Sequence, residues 1–184
     1  MKGVSTFKKR LLELAGNNYA GAINSLINDV KKSGVKNIAF KNFKSTPVAG
    51  VSKGNGDVFI ADKGLSFSDI MFITLHELAH QLQYKKYGNE YSLNLLYNGY
   101  TTGVHKISSE IKEIEDVANR YAFIKFKKYQ SMFGLPNISY HIRTGTYMPQ
   151  YAYEGHLTLM FQDLRCKGVN SKEEMRTQLN NFLN

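Results

Sequence analysis

Three features of this sequence predict an α+β fold: a small antiparallel three-stranded sheet packed on helices, with a helical C-terminal part. Segments with apolar residues at helical spacing occupy both ends of the chain, three short β-prone runs separated by turn residues lie together between residues 37 and 62, and a nearly all-apolar helical stretch follows them directly. A length of 184 residues suits one domain burying its own core, so a single domain over 1–184 is expected. Hydrophobic content of 42% and aromatic content of 12%, without low-complexity runs or repeats, argue for a globular chain rather than a disordered one.

Taken in order, Thr6 to Leu14 and Tyr19 to Lys32 read as helices. In the second, Ile23, Leu26, Ile27 and Val30 fall on one face and Gly34 follows a basic last turn, as expected of a covering helix. The runs Asn37 to Phe43, Pro47 to Val51 and Asp57 to Asp62 follow, separated by Lys44-Ser45-Thr46 and by the turn former Gly54-Asn55-Gly56. They predict an antiparallel meander. The last run, Val58-Phe59-Ile60-Ala61, stops just before the next helix and is expected to offer its edge to an extended peptide.

A helix is expected from about Phe67 to Tyr87. Ser66 and Asp69 have capping-box spacing, Lys85 and Lys86 suit the C-terminal dipole, and Gly88 suits the position after the last turn. Its first half is apolar nearly all round, which predicts burial through the middle of the domain. Residues Gly88 to His105 lack periodicity and are expected to form a loop or irregular hairpin, a potential lid. Ser108 or Ser109 is expected to cap a long helix reaching about Met132 and stopped by Gly134 and Pro136, with Ile111, Ile114, Ala118, Tyr121 and Ala122 facing inward. An aromatic, turn-rich passage runs to Tyr153. Leu157, Met160, Phe161 and Leu164 suggest a further helix, and Ser171 with Glu174 a second capping box opening a final one.

The whole chain restricts its setting. The single cysteine, Cys166, rules out an internal disulfide, so a reducing, cytoplasmic compartment is expected. The apolar part after Lys8, Lys9 and Arg10 is short and contains Glu13, unlike a signal peptide, and no stretch approaches membrane-spanning length. A net charge of +9 suits an acidic partner, whether nucleic acid, an anionic surface or an acidic protein segment, and any nucleic acid binding is expected to be weak and non-specific, since no recognition motif accompanies the charge.

The stretch Thr74-Leu75-His76-Glu77-Leu78-Ala79-His80-Gln81 contains H-E-x-x-H. On a helix, positions four apart share a face, so His76 and His80 can reach one metal ion while Glu77 lies beside it to handle protons. A third ligand is needed, because catalytic Zn2+ commonly takes two His and one Glu and leaves a position for water. The long helix offers Glu110, Glu113, Glu115 and Asp116. Asp116 lies between Lys112 and Arg120 on what reads as a solvated face, and Glu110 suits the helix N-terminus. Glu115 alone shares the inward stripe with Ile111, Ala118 and Ala122, where a carboxylate is costly unless paired or metal-bound.

With both segments in hand, the chain resembles the gluzincin metallopeptidases, and more narrowly the ImmA/IrrE-type family. The resemblance rests on His76-Glu77-Leu78-Ala79-His80 and on Glu115-Asp116-Val117-Ala118-Asn119-Arg120-Tyr121-Ala122, which is similar to that family's E-x-x-A-N-x-[FY]-A, and it covers roughly Tyr19 to Lys128. It implies a zincin-like metallopeptidase core, with His76, His80 and Glu115 as zinc ligands, Glu77 as general base on zinc-bound water, and Asn119 holding the distal nitrogen of a ligand histidine. The expected activity is hydrolysis of peptide bonds in a protein or peptide substrate. Oxyanion donors are sought among Tyr140, His141, Tyr147, Tyr151, Tyr153 and His156. Two other readings compete: a zinc-binding, protease-like sensor, and a protease associated with nucleic acid through Lys125 to Lys128.

Overall fold

The computed structural model describes residues 1–43, 49–61, 63–88 and 104–138, together with 168, 171, 173, 174 and 177; the side chains of residues 104–116 lie outside the description. Helix α1 (Val4–Ala15) and helix α2 (Ala20–Lys32) are joined by a 3-10 turn at Asn17–Tyr19. Strands β1 (Asn37–Phe40), β2 (Gly50–Ser52) and β3 (Asp57–Ile60) follow, then α3 (Phe67–Tyr87) and α4 (Val104–Phe133). The architecture is α+β, as expected, and α3 occupies its expected bounds.

The sheet is mixed, not the expected antiparallel meander: its strand order is β1-β3-β2, with β1 parallel and β2 antiparallel to β3. The two connections explain why. Residues 53–56 close a tight hairpin, in which the Lys53 N–H donates to the Asp57 carbonyl (2.8 Å) and the Asp57 N–H to Asn55 Oδ1 (3.0 Å). Nine residues separate β1 from β2, more than a hairpin loop, and β2 pairs on the side of β3 away from β1. β3 carries the fully buried Val58 and Ile60 and takes the centre, whereas short, glycine-led β2 takes an edge. The edge expected of β3 is therefore occupied on both sides. β1 gains a one-residue parallel bridge from Lys2, and Gly3 (φ 77°) then turns the chain into α1 where a Cβ would run into the Ile38 carbonyl.

The core gathers around α3. Its Ile70, Met71, Phe72, Ile73, Leu75 and Leu78 are buried on all sides of the helix, by α1, α2 and α4 and by the sheet. Each such side chain contributes roughly 1.5–3 kcal/mol by leaving water. Phe72 meets the edges of Phe123 (4.7 Å between centroids) and Phe126 (6.4 Å) on α4. Ser68 near the start of α3 donates to the Pro136 carbonyl beyond the end of α4 (2.7 Å), so the two helices run antiparallel.

Helix ends follow the chemistry of their residues. Ser66 Oγ accepts the Asp69 N–H (3.1 Å), and the Gly88 N–H closes on the Tyr84 carbonyl (2.9 Å). At the C-terminal capping box, the Glu174 N–H donates to Ser171 Oγ (3.2 Å) and the Ser171 N–H to Glu174 Oε2 (3.0 Å). One boundary differs. α4 begins at Val104, ahead of the expected caps Ser108 and Ser109, so His105 belongs to the helix and not to a loop. The expected lid (89–103), the aromatic passage (139–153) and the helix around Leu157 to Leu164 lie outside the described residues.

Candidate metal centre

His76 and His80 stand one turn apart on α3, with ring centroids 4.7 Å apart and planes at 84°. Their Nε2 atoms converge to 3.0 Å. His76 is buried (1% exposed), and its Nδ1 donates to Oδ1 of Asn119 on α4 at 2.9 Å. His80 is part-buried, and its Nδ1 donates to Oε1 of Gln83 on the next turn of α3 at 2.8 Å.

An amide oxygen only accepts, so each Nδ1 donates in this arrangement and the Nε2 of each neutral ring turns toward the other. Two imidazole nitrogens that converge at 3.0 Å can share one cation. Zinc bound to two imidazoles at ~2.0–2.1 Å with a tetrahedral angle holds the nitrogens roughly 3.3 Å apart, so a few tenths of an ångström of ring movement suffices. The two histidines therefore fit as a pair of ligands to one divalent metal.

Glu77 is also buried, 3% exposed, against the β2 edge strand. Its carboxylate fills the space that a side chain would need at residue 50: a Cβ on Gly50 would lie 2.5 Å from Glu77 Oε1. Three hydrogen bonds set that fit. Gln81, buried beside His80, donates to Ser52 Oγ (2.6 Å) and to the Lys53 carbonyl (2.8 Å), while the Tyr84 hydroxyl donates to the Ser52 carbonyl (3.2 Å). The β2–β3 hairpin is thus fastened to the motif helix along the side that carries Glu77. In the β2–β3 ladder Val51 faces β3, so the backbone groups of Gly50 and Ser52 turn toward the outer edge.

On α4 the buried stripe is Ala118, Asn119, Ala122, Phe126 and Tyr129, with Val117 and Arg120 exposed. Glu115 lies three residues before Ala118 and four before Asn119, in register with that stripe; its side chain lies outside the described residues. So do Tyr140, His141, Tyr147, Tyr151, Tyr153 and His156. Among the described residues no group of three or more His, Cys, Asp or Glu gathers as a metal site. Gln83, Gln81 and Gly50 were not singled out in the sequence. For Gln83 a signal was present, since it follows His80 at helical i+3 spacing.

Farther along α4 a second polar cluster faces α2. Asp29 accepts from the Tyr129 hydroxyl (2.5 Å) and from Lys125 Nζ (3.2 Å). Burial first, then the hydrogen bond to Asp29 and its negative charge, push the Tyr129 phenol well above its ordinary range. The Tyr121 phenol is raised too, by burial first, with Lys125 opposing and Asp29 adding. Lys125 is therefore engaged in holding α2 and is not a free cation on the expected phosphate path. No helix among the described residues is long and apolar enough to cross a membrane. Comparison of the chain with protein-family models, curated proteins and solved structures found no match.

Proposed function

We propose that this chain is a zinc-dependent metallopeptidase with a zincin-like core, hydrolysing peptide bonds in a protein or peptide substrate. The observation that carries the reading is the convergence of the His76 and His80 Nε2 atoms at 3.0 Å with both Nδ1 atoms committed to amide oxygens. His76, His80 and Glu115 would hold the metal. Zinc supplies Lewis acidity at such a site, stabilising developing negative charge by several kcal/mol.

The chain's own residues do the rest. Glu77, pressed against Gly50 and shielded from solvent, accepts the proton of the attacking water and returns it to the leaving amine. An extended substrate strand would add along the outer edge of β2, through the backbone groups of Gly50 and the Ser52 N–H, the Ser52 carbonyl being held by Tyr84, which brings a peptide bond past Glu77. This replaces the β3 edge as the docking strand. The lone Cys166 suits a reducing, cytoplasmic setting.

Zinc content of the purified chain, measured together with casein digestion, tests the reading. Glu77→Gln is expected to retain zinc and lose hydrolysis by about 10²–10⁴-fold, the usual weight of a general base. Glu115→Ala is expected to lose both. A wild-type chain that binds no zinc, or a Glu115→Ala variant that binds it normally while Glu113→Ala or Asp116→Ala does not, would overturn the assignment.

A further inference from the structure

His76 and His80 are held by different means. His76 is locked from outside its helix by Asn119, whereas His80 has its Nδ1 acceptor on its own helix, one turn toward the part-buried end, in Gln83 at 2.8 Å. Resting on the metallopeptidase reading, we propose that Gln83 is a positioning residue for zinc: by accepting the Nδ1 hydrogen it keeps His80 with a bare Nε2 and so sets the affinity of the histidine pair for the metal.

The argument is one of tautomers. An unconstrained histidine side chain prefers its hydrogen on Nε2, the nitrogen His80 must leave bare to bind beside His76. Gln83 opposes that preference by the way its amide is turned, with Oε1 toward Nδ1, since that oxygen can accept but not donate. It also restrains the ring, since the bond fixes the imidazole plane as well as the proton. Asn119 does the same for His76, but as a buried residue that also joins α4 to α3. The Gln83 bond to His80 lies within α3, so removing it leaves the α3–α4 bond of Asn119 in place.

Gln83→Ala and Gln83→Glu test this in two ways. Histidine 15N NMR of the metal-free protein reads the tautomer directly, and competition with a chromogenic chelator reads zinc affinity. In the wild type His80 is expected to carry its hydrogen on Nδ1. In Gln83→Ala the hydrogen should shift to Nε2, and zinc should bind about 10–100-fold more weakly. Gln83→Glu should restore the Nδ1–H form and bind zinc at least as tightly as the wild type. The melting temperature of the metal-free protein should fall less in both than in Asn119→Ala, which removes a bond between helices. If Gln83→Ala keeps the wild-type tautomer and affinity, the role of Gln83 is overturned while the metallopeptidase reading stands. If the wild type shows the Nδ1–H form but binds no zinc, that reading fails and the role of Gln83 in metal affinity fails with it.

Discussion

Around Asp29, α4 meets α2 through a polar cluster that balances itself: one carboxylate, one ammonium and one hydroxyl donor. Around His76, the same helix meets α3 through a cluster of another kind, in which two amide oxygens meet the Nδ1 atoms and the two imidazole Nε2 atoms converge at 3.0 Å. A balanced cluster is complete within the protein and serves to join helices. A cluster in which two imidazole nitrogens converge is one that, on the proposed function, a metal ion would complete. Their difference shows why a buried polar residue on α4 is informative only when its donors and acceptors are counted: Tyr129 and Asn119 sit on one stripe and have unrelated uses.

The contrast can be broken by removing one partner from each cluster. The largest effect is expected for Asn119→Ala, which deprives the buried His76 N–H of its acceptor: zinc affinity should fall about 10–100-fold, and the fold should lose about 1–3 kcal/mol. Chelator competition and thermal melting measure the two. A variant that melts earlier but binds zinc unchanged would make Asn119 another joining residue, no different in kind from Tyr129. Next comes Gly50→Ala, whose methyl group must displace either Glu77 or β2, at about 1–3 kcal/mol. Hydrolysis of casein should fall more than zinc affinity, because the base moves and the histidines do not.

The smallest effect is expected for Tyr129→Phe, which should cost about 1.5 kcal/mol, the low end for a hydrogen bond to a charged group at a half-buried site, and leave zinc binding untouched. This pair also gives a pH signature. The Tyr129 phenol is raised in the folded state, so its contribution is complete below the ordinary phenol value of about 10 and is lost as pH rises beyond it, where the unfolded chain releases the proton first. Urea melts from pH 8 to about 11 should show stability falling more steeply in the wild type than in Tyr129→Phe. Parallel curves would mean that Tyr129 contributes packing alone.

Local signals were legible in the sequence and spatial ones less so. Ser66, Gly88 and the apolar run between them specify α3 by short-range rules, and the structure follows them residue for residue. Ser171 and Glu174 are legible for the same reason. The meander failed because strand order depends on which strand is most deeply buried, which is not written within a single strand. The start of α4 was misjudged because two serines resemble a cap wherever they occur, even when the helix has already begun. At the candidate site, His76, Glu77 and His80 followed from spacing, and Asn119 from resemblance. Gly50 was not legible, because the need for a missing side chain arises only once the hairpin is folded over Glu77.

The hydrogen bond between His76 and Asn119 spans 43 residues of chain. During synthesis the two histidines emerge well before the helix that orients one of them. A nascent chain that has made α3 but not α4 presents the pair with the His76 ring unrestrained, and on the proposed function it would hold metal only weakly. Tight loading would then belong to the last stage of maturation, after α4 docks. On the proposed function, that order keeps a peptide-cleaving centre silent while its own chain is still extended and open to attack.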